Sequence, residues 1–205
     1  MGFNRSLFIK ISILAVLIVL YLLSSFFYYN YRERRAGQDF LFASFLFRRA
    51  AEDSSKYNQA EEAFKEMLSQ YGGHWQEVAL FYLGNIYYQQ GNISAAEKTY
   101  ARYLSQFPHG AWSQEVRLSL AQLAENRHLY GLAIERYEKL LKEYPENYLM
   151  KEVYLGLGRS YERLQRLNLA KKYYARLKAN YPGTAWAGKA EERLQEIDAR
   201  IKLGL

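Results

Sequence analysis

The sequence predicts an all-α protein: a helical solenoid of about four helix-turn-helix repeats, closed by a capping helix and preceded by one transmembrane helix. Three observations carry this reading. Ala60-x-x-x-Phe64, Ala96-x-x-x-Tyr100, Ala133-x-x-x-Tyr137 and Ala170-x-x-x-Tyr174 recur 36 or 37 residues apart, a period that marks stacked two-helix units. Breakers are scarce, with 3 Pro and 13 Gly against 20 Tyr in 205 residues, and Pro108, Pro145 and Pro182 fall one per later repeat, each where a helix must stop. Residues 11–29 carry no charge and no breaker; as a helix they extend about 28 Å, close to the hydrocarbon thickness of a bilayer.

Residues 1–10 form a short basic lead with Arg5 and Lys10. The apolar segment 11–29 ends in Phe26-Phe27-Tyr28-Tyr29, rings suited to the headgroup layer. No small-x-small site follows it, which favours an uncleaved anchor over a cleaved signal peptide. Residues 30–40 are read as a juxtamembrane linker whose Arg32, Arg34 and Arg35 contact anionic lipid headgroups. Of the formal charge of +7, the first 35 residues hold +4. The repeats therefore mix both signs and lack the continuous basic face that nucleic-acid binding requires. Arg32, Arg34, Arg35, Arg48 and Arg49 after the span outnumber Arg5 and Lys10 before it, so charge leans towards a cytoplasmic C-terminal side.

The repeats occupy 41–184, as copies 41–75, 77–108, 114–145 and 151–182. In the first, Phe40–Phe47 is read as the opening helix, or as an interfacial helix, and Tyr57–Tyr71 as its partner. No proline occurs in the first hundred residues, so the span is expected to run nearly unbroken into this repeat, with Gly37 as the obvious hinge. In the regular copies Leu83-Gly84-x-x-Tyr87 returns as Leu157-Gly158-x-x-Tyr161. Gly84 and Ala96 are small where two helices come close, and Tyr87 and Tyr100 fill the space beside them. The third copy departs, with Ala121 and Ala124 at those Gly and Tyr positions. Gly91-Asn92 punctuates the helix pair. The terminators Phe107-Pro108, Tyr144-Pro145 and Tyr181-Pro182, with Gly72 earlier, are each followed by an aromatic residue: Trp75 after Gly72, then Trp112, Tyr148 and Trp186. Those rings are expected to pack the start of the following helix. Residues 185–205 read as the polar-faced capping helix and tail that a solenoid end requires.

Nothing in the chain assembles a reaction centre. It has no cysteine, and His74, His109 and His128 stand singly in or beside turns. Phosphate-binding loops, nucleophile elbows and zinc-binding helices are missing from its motifs. Glu61-Glu62, Glu191-Glu192 and Glu135-x-x-Glu138 read as solvated helix faces. The expectation is a non-enzymatic protein with no cofactor, no metal and no catalytic residues.

The order Leu-Gly, Tyr, Ala, Phe/Tyr, Pro resembles the tetratricopeptide repeat pattern over residues 41–182. The resemblance implies a right-handed solenoid whose concave groove is lined by the first helix of each repeat and binds proteins or peptide segments. Carried onto this sequence, the fifth position gives Phe45, Phe81, Leu118 and Leu155, and the ninth gives Arg49, Asn85, Gln122 and Arg159. The twelfth gives Glu52, Tyr88, Glu125 and Glu162. An apolar floor of this kind either receives a peptide or packs the solenoid's own inner surface. If the groove is used, Arg159→Glu is expected to spare the fold and impair binding. The chaperone-tail type of groove needs basic residues where Phe81, Leu118 and Leu155 stand, so that subfamily is not expected.

The repeat length and the Tyr-Pro junctions look like those of bacterial envelope members of the family. The layout is similar to the single-span ancillary subunit of the Sec translocon. The C-terminal two thirds resemble the TolA-binding cell-division coordinator and the barrel-assembly lipoprotein, without the lipoprotein's cysteine or the coordinator's N-terminal coiled coil. This resemblance implies an inner-membrane, single-pass scaffold with a periplasmic solenoid, serving envelope protein assembly or export. The alternatives are a cytoplasm-facing membrane-anchored adaptor and a chaperone-like holder of unfolded exported proteins.

Overall fold

The computed structural model describes residues 5–203, with side chains from residue 9 onward; the first four residues of the basic lead and the last two of the tail lie outside the described residues. Among the described residues there are only helices and turns: α1 (Arg5–Arg49), α2 (Lys56–Gln70), α3 (His74–Gln89), α4 (Ile93–Gln106), α5 (Ser113–Asn126), α6 (Tyr130–Glu143), α7 (Met150–Arg163), α8 (Leu167–Asn180) and α9 (Ala185–Lys202). They form two compact units, divided inside α3 between Ala79 and Leu80.

In the first unit, α1 is one helix of 45 residues, about 67 Å long at about 1.5 Å per residue. Its first part is exposed on every side, contains an 18-residue window of mean hydropathy 2.4, and is long and apolar enough to cross a membrane. The polar side chains there are satisfied by their own helix: the Ser24 hydroxyl donates to the Tyr21 carbonyl at 2.9 Å, and the Asn30 amide to that of Phe26 at 2.9 Å. Internal satisfaction is what a hydrocarbon surrounding demands of a backbone and its polar groups.

The helix then continues through 30–40 without a break, the continuity that the absence of proline predicts, so the segment read as a juxtamembrane linker is helical. The reason is packing, which offsets the roughly 1 kcal/mol that a helical glycine costs. Ala36 is fully buried. The Arg32 guanidinium donates to the Gln70 carbonyl at 2.6 Å, the Trp75 indole to Glu33 at 2.8 Å, and the Tyr71 hydroxyl to Asp39 at 2.6 Å. The first repeat thus begins inside the supposed linker. Of the three arginines assigned to lipid, Arg34 and Arg35 are exposed, whereas Arg32 lies 5.9 Å over the Tyr28 ring and 5.8 Å over that of Tyr71. Further along, Ala43 and Leu46 of α1, Ala50 in the turn after it, and Ala60, Phe64 and Met67 of α2 are buried, while Leu41, Phe42 and Phe45 stay exposed.

The second unit packs its helices in chain order, α4 with α5, then α5 with α6 and onward to α8 with α9, the neighbour-to-neighbour arrangement of a solenoid. The repeated prolines set the ends of the second helices. Phe107, Tyr144 and Tyr181 share one backbone conformation, with φ of −130°, −139° and −130°, because a residue before proline is kept out of the helical region. Each still donates its N–H to the carbonyl four residues back, at 2.7, 2.9 and 3.2 Å. The turn inside each of the three later repeats holds one left-handed residue. Gly91 takes it with φ +74°, and His128 and Gln165 take the equivalent place with φ of 59° and 58°.

Tyr100, Tyr137 and Tyr174 are fully buried, each pressed on a glycine. A Cβ at Gly84 would stand 2.3 Å from the Tyr100 ring, one at Gly158 2.5 Å from that of Tyr174, and one at Gly156 2.4 Å from that of Tyr137. The third pairing is shifted to the next repeat. Ala121 occupies the place that Gly84 and Gly158 leave open, so the Tyr137 ring seats over Gly156 of α7 instead.

Candidate partner-binding groove

A buried tyrosine must find an acceptor for its hydroxyl, and this requirement builds the site. Tyr100 donates to Asn85 at 2.6 Å, Tyr137 to Glu125 at 3.0 Å, and Tyr174 to Glu162 at 3.1 Å. In the first repeat Phe64 has no hydroxyl to place, and Glu52 turns to Arg49 on the surface at 3.6 Å.

The side chains of Glu125 and Glu162 keep only 12% and 11% of their exposure, so their charge needs further partners. Arg159 grips Glu125 with two parallel bonds of 2.7 and 2.8 Å, the bidentate geometry that suits guanidinium to carboxylate. Glu162 receives Arg193, whose Nε lies 3.3 Å away, and Arg200 at 3.2 Å. Each carboxylate is therefore bridged by a helix further along the chain, α7 for Glu125 and α9 for Glu162. Burial, and then the neighbouring carboxylate, push the hydroxyls of Tyr137 and Tyr174 well above the ordinary tyrosine range. The hydrogen bond to Glu125 holds Arg159 above its usual value.

These groups line an open cavity of about 1000 Å³. Glu125 and Asn126 of α5 form one side. Leu155, Arg159, Glu162 and Arg163 of α7 form the middle, and Lys189, Arg193 and Arg200 of α9 the far wall, with Tyr174 at the base. The residues expected at the groove divide accordingly. Leu155, Arg159 and Glu162 come together here. Leu118 is 6% exposed and belongs to the apolar core, and Leu155 is 5% exposed although it lines the cavity. Phe81 is stacked on Trp112 at 5.1 Å; Asn85 is engaged by Tyr100, and Tyr88 accepts from the Asn126 amide at 3.2 Å. Gln122 is half-buried on α5. Phe45, 52% exposed, and Arg49 lie on α1 in the first unit.

Two features differ from the sequence reading. Arg159 is a structural clasp for Glu125, so its reversal would place two carboxylates together and disturb the fold. Sequence reasoning also missed Arg163, Lys189, Arg193 and Arg200. The signal was present in Arg193 and Arg200, seven residues apart and so on one face of α9. The other expected packing residues hold the turns: Trp112 donates its backbone N–H to the Tyr103 hydroxyl at 3.0 Å, Lys151 lies 5.9 Å over the Trp186 ring, and the exposed Tyr148 donates to Glu115. Glu138, expected to be merely solvated, accepts from Tyr161 at 2.7 Å and Tyr173 at 3.3 Å. Among the described residues no group of three or more His, Cys, Asp or Glu is placed to hold a metal ion.

Residues 51–123 and 152–184 match family profiles described as tetratricopeptide repeat. Similar solved structures include a tetratricopeptide repeat protein from Parabacteroides merdae, at 21% identity and TM-score 0.60 over 77% of this chain and 60% of that one. The apo form of RapI matches at 17% identity and TM-score 0.67 over 82% and 64%. MamA from AMB-1 matches at 17% identity and TM-score 0.58 over 82% and 83%. The chain thus spans less than two thirds of the first two, and at these identities the likeness is one of fold. No curated protein matches the chain.

Proposed function

Because the chain belongs to the tetratricopeptide repeat family, we propose that it is a membrane-anchored protein-interaction module that binds partner polypeptide segments along its concave face. The observation that carries this reading is the cavity of about 1000 Å³, built by the fifth, ninth and twelfth positions of α7 together with α5 and α9. Its walls are fixed before any partner arrives, because Tyr137, Glu125 and Arg159 form one bonded set and Tyr174, Glu162, Arg193 and Arg200 another. A pre-ordered groove loses little conformational entropy on binding. The apolar first part of α1 is the anchor.

Within that role, the layout of one span followed by repeats supports a scaffold for envelope protein assembly or export with the repeats on the periplasmic side. A second reading, a cytoplasm-facing adaptor, is favoured by the arginines that follow the span. A photocrosslinking residue at Asn126, which is exposed in the cavity wall, tests both in cells. One discrete envelope protein in the adduct is the outcome for a scaffold, many unrelated exported chains for a holder, and cytosolic proteins for the adaptor. The same adducts from a probe at Lys139, outside the cavity, would remove the groove from the account.

A further inference from the structure

The cavity holds five cationic side chains, Arg159, Arg163, Lys189, Arg193 and Arg200, against two carboxylates. The carboxylates are consumed. Glu125 is filled by Arg159 and Tyr137, and Glu162 by Arg193, Arg200 and Tyr174. Neither offers itself to a cationic ligand. Three of the cations are consumed as well, for Arg193 also reaches Glu196 and Arg200 also reaches Gln165. What is left over is Arg163 and Lys189, both exposed and both without an ion pair among the described residues.

Their folding roles differ. Arg163 sits in the last turn of α7, where a cation is favourable to the helix dipole. Lys189 has no such reason. It stands in the N-terminal half of α9, away from the last turn, where a cation would be favoured. Positive charge in a concave wall concentrates the field over the opening. Helices packed in succession lie about 8–10 Å apart, so α5, α7 and α9 together cover roughly 20 Å, the length of about six extended residues. The half-buried Tyr130 ring adds apolar surface along that course.

The geometry points to an acidic polypeptide segment as the occupant: Arg163 and Lys189 receive its carboxylates while the Glu-locked arginines hold the wall in shape. α9 is then part of the binding site. This rests on the groove reading above and states what the groove selects.

The test uses the full chain in nanodiscs of zwitterionic lipid and fluorescence anisotropy with three labelled dodecapeptides. One carries four glutamates among leucine and serine, the second has glutamine in their place, and the third is the acidic peptide with an amidated C-terminus. The acidic peptide should bind about tenfold more tightly than the glutamine peptide, and added salt should weaken it. Amidation leaves that affinity unchanged if side-chain carboxylates are the ligand and lowers it if the terminal carboxylate is, and either result keeps the assignment. The double variant Arg163→Gln, Lys189→Gln should lose about five- to tenfold for the acidic peptide at an unchanged melting temperature. Equal binding of the acidic and glutamine peptides would overturn the charge selection and leave the groove standing. Failure of every peptide to bind would overturn both, and undiminished binding by the double variant would move the site elsewhere.

Discussion

A methyl group added at Gly84 would stand 2.3 Å from the Tyr100 ring, and that ring is fully buried with its hydroxyl tied to Asn85. It has no retreat. Overpacking of this kind costs about 1–3 kcal/mol, against a helix-propensity gain of about 1 kcal/mol. Gly84→Ala should therefore destabilise the protein by up to about 2 kcal/mol. Gly37→Ala should act in the opposite direction, gaining up to about 1 kcal/mol, because its Cβ would meet only the Trp75 ring at 3.9 Å. Denaturant midpoints of the two variants in micelles should shift to opposite sides of the parent, and a shift to the same side would contradict the packing described. The small-against-large pairing was legible in Gly84 and Tyr100. The seat of Tyr137 on Gly156 was not, because it follows from Ala121 closing the usual place one repeat earlier. The same buried hydroxyls predict a pH effect. Burial pushes the hydroxyls of Tyr137 and Tyr174 above the ordinary tyrosine range of about 10 in the folded chain, so the stability they contribute is complete below about pH 10 and is lost as the pH rises beyond it. The melting temperature should hold level up to about pH 10 and then fall, which a pH series of thermal melts measures directly.

At the scale of elements, the repeat turns carry a cost that evolution has left in two of three copies. Gly91 holds φ +74° freely, but His128 at φ 59° and Gln165 at φ 58° occupy the same left-handed place with a side chain, which costs an L-residue about 1–2 kcal/mol. Replacing Gln165 by glycine should raise stability by roughly 0.5–1 kcal/mol after the extra entropy of the unfolded glycine is subtracted. An unchanged or lower melting temperature for Gln165→Gly would show that its turn is relaxed by other means. His128 was legible as a residue in or beside a turn, but its left-handed backbone and that of Gln165 were not; they emerge only from the period set by Gly91. The unbroken α1 was half legible. The absence of proline predicted continuity, yet residues 30–40 looked like a linker because their partners, Gln70, Tyr71 and Trp75, lie over thirty residues away in the sequence. The wall formed by α9 was hidden for the same reason: a polar face reads alike whether it meets water or, as with Arg193, a carboxylate 31 residues earlier.

For the whole molecule, the length of α1 fixes what an anchor must do. A span of 11–29 uses about 28 Å of helix, and the 45-residue helix of about 67 Å continues well past any bilayer core of about 30 Å. The excess is the first helix of the first repeat, continuous with the apolar stretch, so in the proposed anchored state the first unit is held at a set height above the lipid. Because the chain has no cysteine, single cysteines report this height without interference. Ser24→Cys, inside the apolar stretch, should resist a membrane-impermeant maleimide until detergent is added. Phe42→Cys lies about 20 Å beyond residue 29 at about 1.5 Å per residue and should be labelled from one side only. Labelling in intact spheroplasts would support the periplasmic scaffold, and labelling only after lysis would support the cytoplasmic adaptor. Equal reaction of both cysteines before detergent would remove the anchor itself. A proline at position 37 completes the argument, because it breaks the helix at a cost of about 3 kcal/mol or more. If rigid continuity sets the height, Gly37→Pro should leave Ser24→Cys protected while making the residues around Phe42 vary in reach, seen as a spread in crosslinks to headgroups that the parent protein does not make.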